Sequence, residues 1–315
     1  MKNTIKTNQL KTAIVTGVNK GWRGYIWMMK IIIPISFLTA LLAWSGLVQK
    51  VSFLIQPVMD IFGLPAIATL PLIIGMLTGI YGGVASMAVL SLSVEQMTLI
   101  AIFLLIAHNL IQEGVIQGKS GIHPLKATLF RLVVATITIM IVAQLLDVSP
   151  TAQMSIDGPS SPASQPFSTM LKDWAIITIN LIIKIFFIIM FILTMLEIMK
   201  SFGWVDHIVR FLSPLLKAMG LSHRVGVLWV TAVIFGLAYG GAVIVEEVRN
   251  GELTKEELEE LHLSIGINHA MIEDPSLFLP LGISPFWLWI PRLLVAIVAV
   301  RLLTLWHLFL DKYWT

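Results

Sequence analysis

Two short polar constellations interrupt otherwise apolar stretches of this 315-residue chain: His108, Asn109, Gln112 and Glu113, and again Asn268, His269, Glu273 and Asp274. An imidazole followed four or five positions later by an acid or an amide places both on roughly one face of a helix. Such a pair suits proton transfer, because histidine titrates near neutral pH. Imidazole with carboxylate also suits a divalent metal such as zinc or iron, and His262, His269 and Glu273 are the candidate ligands. A charged side chain at the centre of a membrane costs about 2.5–3.5 kcal/mol and usually faces a polar interior, so both clusters are candidate substrate-binding positions. The plainer alternative is that His269 and Glu273 form a buried pair that fixes helix packing. Arg131 and Arg292 are candidates to clamp an anionic group bidentately, although Arg131 lies near an expected interface where its side chain could snorkel. Lys184 is expected to neutralise Glu197 or another carboxylate, and Glu246 and Glu247 to sit in a solvated loop with Glu252, Glu259 and Glu260.

The two constellations are copies. From Ser93 and again from Thr254, a run of 43 residues aligns without a gap at an offset of 161, carrying Glu95/Glu256, His108/His269, Ile111/Ile272, Gly121/Gly282, Pro124/Pro285, Arg131/Arg292 and Ala135/Ala296. Upstream, Gly46/Gly203, Pro57/Pro214 and Gly63/Gly220 stand at an offset of 157, and Tyr81-Gly82-Gly83 against Tyr239-Gly240-Gly241 at 158. Ser93-Val94-Glu95-Gln96 and Thr254-Lys255-Glu256-Glu257 both read as capping boxes that start a helix. Two homologous halves in an apolar protein point to transport.

Composition sets the solvent. The chain is 57% hydrophobic and 12% charged, with a mean hydropathy of +0.88, against roughly 25% charged residues in soluble domains. Apolar runs long enough to cross a bilayer lie near 27–48, 97–118, 125–146, 174–199, 257–282 and 286–310, with a glycine-broken run in each half at 66–92 and 225–248. The implied organisation is a polar cytoplasmic tail over 1–26, a first repeat over 27–146, a Ser/Pro-rich extracytoplasmic linker over 147–173, a second repeat over 174–310 and a short tail over 311–315. Segments 48–64 and 203–223 are amphipathic and suit the membrane surface. The absence of cysteine excludes disulfides, thiolate metal sites and cysteine nucleophiles, and a net charge of +3 is too small to imply nucleic acid.

Whether the glycine-broken runs span or dip in and return decides the topology. If they span, the halves are parallel and the interfacial lysines and arginines divide as 10 inside and 9 outside. If each is a re-entrant hairpin, the halves are inverted and 16 fall on the cytoplasmic side, leaving Lys50, Lys172 and Arg292 outside. The second division follows the positive-inside rule. The expected fold is therefore an all-α polytopic membrane protein of two inverted-topology repeats, each with three spanning helices, one interfacial helix and one re-entrant hairpin. Tyr81-Gly82-Gly83 and Tyr239-Gly240-Gly241 are expected at the hairpin tips, where glycine permits the turn and a close backbone approach to a ligand, and are further candidate substrate-binding residues. The competing reading is that these glycines let straight helices pack.

An apolar helix, a Pro-containing amphipathic stretch ending in Gly63-Leu64-Pro65 or Gly220-Leu221-Ser222, a Tyr-Gly-Gly turn and a polar-broken helix, all occurring twice, resemble the nucleoside-recognition, or Gate, family. That family includes the spore-maturation membrane proteins, and related segments occur in concentrative nucleoside transporters and ferrous-iron permeases. The resemblance implies a pore and gate without naming a substrate. The chain lacks a GTPase domain and cysteine, unlike the iron permeases, and the Gln-Thr-Glu hairpin tip of the nucleoside carriers. The expectation is a transporter of a small polar or ionic solute in the cytoplasmic (inner) membrane, both termini cytoplasmic, with no enzymatic activity and no cofactor. Its expected partners are the lipid bilayer and a homodimer mate or another membrane protein. The alternatives are a carrier for phosphate-bearing lipid, using Arg131 and Arg292, a non-transporting subunit, and a membrane metalloenzyme.

Overall fold

The structure is a computed structural model that describes residues 2–146, 165–249 and 253–314. Most of the expected linker, residues 147–164, lies outside the described residues. Those that are described form helices and connecting turns in two runs of matching order. The first half contains α1 (Lys2–Trp44), α2 (Leu47–Asp60), α3 (Thr69–Thr78), α4 (Ile80–Ala88), α5 (Val94–Ala107), α6 (Leu110–Lys119) and α7 (Pro124–Leu145). The second contains α8 (Phe167–Ser201), α9 (Val205–Phe211), α10 (Ser213–Met219), α11 (His223–Arg249), α12 (Lys255–Asn268), α13 (Glu273–Ser276) and α14 (Pro285–Trp314).

Several boundaries differ from expectation. The polar N-terminal stretch continues α1, whose positions 7–44 form one apolar helix long enough to span, and α8 starts at Phe167 instead of near 174. Among the described residues five segments have the length and composition of membrane spans, Thr7–Trp44, Val94–Lys119 (α5 and α6 together), Pro124–Leu145, Phe167–Ser201 and Pro285–His307, and a sixth arises if Ser213–Met219 and His223–Gly236, bent by 108°, count as one. The expected run at 257–282 is instead α12, then α13 and a 3₁₀ turn at Leu279–Leu281. Glu246 and Glu247 lie within α11 and not in a loop.

α5 and α12 form the middle of the molecule. On α5 every side chain from Leu99 to Ala107 is buried, as expected of a helix apolar all round. α5 packs on α7 of its own half and α14 of the other, while α12 packs on α14 and α7. α1 lies along α8, where Lys20 pairs with Glu197; Lys184 instead reaches the Pro280 carbonyl, 3.4 Å away. Both capping boxes form, Ser93 with Gln96 and Thr254 with Glu257. The outer faces of α7, α8 and α14 present a belt that includes Val133, Ile137, Phe187, Phe191, Leu294 and Val298, all exposed, an apolar surface suited to lipid.

Each half also contains a tight reversal. α3 and α4 pack against one another around Gly79, whose φ of 89° and ψ of −175° are open essentially to glycine alone. In α11 the break falls at Gly236, with φ 82° and ψ 166°. A Cβ on Gly83 would lie 3.6 Å from the Gly75 Cα, and one on Gly240 would lie 2.5 Å from the Ala232 Cα, so the two arms of each reversal touch. The tips are thus Gly79 and Gly236, at the offset of 157, and not the Tyr-Gly-Gly motifs, which fall inside the second arms. Gly83 and Gly240 serve the close packing of the arms, and Gly241 lies against Ile116 of α6.

Gly79→Ala and Gly236→Ala should each cost about 1–3 kcal/mol through backbone strain alone, since the nearest atoms to an added Cβ are 3.7 and 3.8 Å away. Thermal unfolding of the detergent-purified protein should show a lower midpoint for both. Gly24→Ala, at a helical position with its nearest neighbour at 3.4 Å, should show no loss.

Candidate functional site

The polar helix of each half is broken at its histidine. α5 ends at Ala107, His108 is extended (φ −91°, ψ 165°) and Asn109 is left-handed with φ 47°, after which α6 begins. α12 ends at Asn268, His269 is extended (φ −66°, ψ 160°) and Ala270 also has φ 47°. Asparagine tolerates that conformation, whereas alanine has no side-chain hydrogen bond to offset it. The amides released by the breaks are taken up by the neighbouring reversal: Asn109 N–H donates to Gly75 O (3.1 Å), Ala270 N–H to Ala232 O (3.3 Å) and Met271 N–H to Val233 O (2.7 Å).

The released carbonyls are taken up by the two arginines. Arg131 Nε donates to Ile106 O at 2.7 Å and its Nη2 to His108 O at 2.8 Å. Arg292 Nε and Nη2 donate to Ile267 O at 2.9 and 2.8 Å, and Nη2 to His269 O at 3.0 Å. Both side chains are buried. A planar fork of donors fits two adjacent carbonyls, and a cation suits the negative end of a helix. The arginines thus cap broken helices, and Arg131 does not snorkel; beyond the carbonyls, Arg131 Nη1 faces the Glu113 carboxylate and Arg292 Nη1 is without a hydrogen-bond partner. Arg301 does the same for α10, donating to Ala218 O and Lys217 O at 2.7 and 2.8 Å.

Held this way, the histidines meet. Their Nε2 atoms are 3.3 Å apart and their ring centroids 4.9 Å apart. Glu113 Oε1 lies 2.9 Å from His108 Nε2 and 3.2 Å from His269 Nε2, and its Oε2 is 2.8 Å from Arg131 Nη1. That last contact is ionic and poorly aligned for a hydrogen bond, since both atoms lack one. Asp274 Oδ2 is 3.6 Å from His108 Nε2 and 3.9 Å from His269 Nε2. Glu113 and Asp274 stand at the offset of 161, so the site is a pseudo-symmetric set of two histidines, two carboxylates and two arginines.

The other expected residues divide. Glu273 Oε1 accepts from Tyr81 Oη at 2.8 Å, and Asn109 Nδ2 donates to Gln112 Oε1 at 3.1 Å. Gly82, Gly83, Gly240 and Gly241 are buried in the hairpin arms. Asn268 is buried with neither amide atom hydrogen-bonded. His262 stands apart, its Nε2 facing Ser120 O at 3.0 Å. Among the described residues, the group whose ligand atoms lie within 4.8 Å of one another is His108, Glu113 and His269, so the expected trio of His262, His269 and Glu273 is not assembled. A cavity of about 250 Å³ reaches the cluster, lined by His108, Gln112, Glu113, His269, Glu273 and Asp274 among others. Two larger cavities, of about 380 and 470 Å³, carry no such group of titratable side chains.

Residues 182–272 match the family model described as "Nucleoside recognition", Gate. The chain is 28% identical over 298 residues to the uncharacterized membrane protein YvoD of Bacillus subtilis (strain 168), an alignment that covers 94% of each chain. No solved structure matches. This is a membrane protein, and the stretch of it that is similar to the Gate model contains the Gly236 tip and His269.

Arg131→Lys and Arg292→Lys should each destabilise the protein. A single ammonium cannot reproduce the fork, and losing one charge-assisted hydrogen bond costs about 1.5–3 kcal/mol. Thermal unfolding in detergent reads the loss, and an unchanged midpoint in both variants would rule out the capping role.

Proposed function

We propose that this chain is a transporter and not an enzyme, carrying a small polar or ionic solute through the cavity at His108 and His269, between two repeats of inverted membrane topology. The observation that carries the reading is the meeting of two repeat-related helix breaks and two hairpin tips at one buried polar cluster. A Cβ on Gly79 would touch Asn109 and a Cβ on Gly236 would touch Ala270, so each tip rests on the break of its own half. Irregular backbone at membrane depth is tolerated where it is enclosed by protein or lines a wet cavity, and discontinuous helices at a repeat interface are a recurring way to build a solute site. The charge division of the sequence supports re-entrant hairpins and inverted halves, with cytoplasmic termini and an extracytoplasmic linker.

Two tips and two breaks related by a pseudo-two-fold axis give two equivalent arrangements, one open to each side. Exchange between them moves the solute past a fixed cluster, and His108 and His269 supply groups that can take up and release protons during the exchange. The lipid-carrier alternative needed the arginines free for phosphate, and both are engaged with backbone carbonyls. An enzymatic role built on a hydroxyl nucleophile would need one free beside its base. Of the two hydroxyls among the described lining residues, Thr78 is tied to Ile74 O and Tyr81 to Glu273.

The chain has no cysteine, so single-cysteine variants report cleanly. Gln112 is exposed and lines the cavity. In proteoliposomes or intact cells, Gln112→Cys should react with a membrane-impermeant thiol reagent from either face, whereas Ser52→Cys in α2 and Ser213→Cys in α10 should each react from one face, and from opposite faces. Labelling of Gln112→Cys from a single face would contradict alternating access. Labelling of the two reference sites from the same face would contradict the inverted halves.

A further inference from the structure

We infer that His108 Nε2, His269 Nε2, Glu113 Oε1 and Asp274 Oδ2 form a binding site for one divalent first-row transition-metal ion. The first step is tautomeric. His108 Nδ1 lies 2.7 Å from Leu104 O, and His269 Nδ1 lies 3.0 Å from Ile265 O. A carbonyl oxygen only accepts, so each Nδ1 carries hydrogen and each neutral imidazole presents a lone pair at Nε2. Those two lone pairs face one another at 3.3 Å and face Glu113 Oε1 at 2.9 and 3.2 Å. Asp274 Oδ2 adds another acceptor at 3.6 and 3.9 Å, buried and without a hydrogen-bond partner. Four acceptors thus converge with no donor among them, which is unfavourable unless a cation sits between.

A single added proton bridges one histidine to Glu113 and leaves Asp274 Oδ2 with no donor. A metal ion serves all four. A tetrahedron with bonds of about 2.0–2.1 Å has edges of about 3.3–3.4 Å; the three separations among His108 Nε2, His269 Nε2 and Glu113 Oε1, 2.9, 3.2 and 3.3 Å, suit one face of it, and Asp274 Oδ2, 3.6 and 3.9 Å from the two histidines, stands where a small movement would bring it in as the fourth ligand. The hydrogen bonds from Nδ1 to backbone carbonyls orient the rings as outer partners of metal-bound histidines do. The glutamate and the aspartate supply negative charge beside the ion, with Arg131 paired to the far oxygen of Glu113 and both guanidiniums hydrogen-bonded to helix-end carbonyls. Two imidazoles and two carboxylates favour zinc, iron, cobalt or manganese over magnesium and calcium, which take oxygen ligands. The shorter Asp274, where the other half has Glu113, leaves the gap on its side that an ion would close.

The inference deepens the transport reading, and rests on it only in taking the ion as cargo. Protein stripped with chelator should bind one Zn²⁺ or Mn²⁺ per chain by calorimetry and elemental analysis, and Co²⁺ loaded into the wild-type chain should give the optical spectrum of a tetrahedral site. His108→Ala and His269→Ala should each abolish binding, Asp274→Asn should weaken it at least about tenfold, and Ser52→Ala, in α2 and outside the cavity, should leave it intact. Absence of stoichiometric binding in the wild type, or binding that survives both histidine variants, would overturn the site whatever the protein transports. Because the wild-type Co²⁺ spectrum does not depend on any variant folding, an octahedral spectrum would also overturn it. Tight binding without flux of the same ion into proteoliposomes would leave the site standing and count against the ion as cargo.

Discussion

Breaking a helix inside a low-dielectric layer frees backbone N–H and C=O groups where water is not there to take them, and each one left unsatisfied costs several kcal/mol. Arg131 and Arg292 resolve this for the carbonyls. Each reaches from the last helix of its half to the broken end of α5 or α12, and the hairpin arms accept from the amides on the other side of the break. With both sets of groups satisfied, His108 and His269 can leave the helix and project toward one another. Without the guanidinium fork, the chain would regain those hydrogen bonds most directly by running straight through as a helix, and the two imidazoles would no longer meet.

The pseudo-symmetry explains why the same solution appears twice, and its departures show where function sits. Gly79/Gly236, His108/His269 and Arg131/Arg292 are identical pairs. Glu113 and Asp274 are the same chemistry at different lengths, and the longer one holds both imidazoles and Arg131 while the shorter keeps an unpartnered oxygen. Gln112 and Glu273 differ in charge, and Glu273 alone is fixed by Tyr81. A site symmetric in its scaffold and asymmetric in its acids can present equivalent routes to two sides while holding a ligand nearer one carboxylate.

Much of this was legible in the sequence because repetition marks it. The membrane class, the two halves, both capping boxes and the histidine pair all follow from composition and fixed offsets. The break at His108 was not legible, since Leu105 to Leu110 contains neither glycine nor proline and the group that takes up its carbonyls, Arg131, lies outside that stretch. The Tyr-Gly-Gly motifs misled because they are conspicuous, whereas the sharp turn requires only a single glycine able to adopt positive φ, and the isolated Gly79 and Gly236 supply it. The arginines stand out in the sequence as candidate anion clamps, because sequence shows a charge and not the carbonyls it will meet. Glu113 and Asp274 could have been paired from the offset of 161 that relates the histidines. Sequence identity drew attention to the unchanged positions and away from that conservative one.

The central claim is that two distant helix breaks bring His108 and His269 together. In this cysteine-free chain, a His108→Cys/His269→Cys double variant carrying a protease site within 147–164 can be treated with a thiol crosslinker a few ångströms long, cleaved, and run under denaturing conditions. The account predicts that the two fragments migrate as one, and that either single variant gives two. Separation of the fragments in the double variant, with both thiols reactive toward a monofunctional reagent, would contradict it.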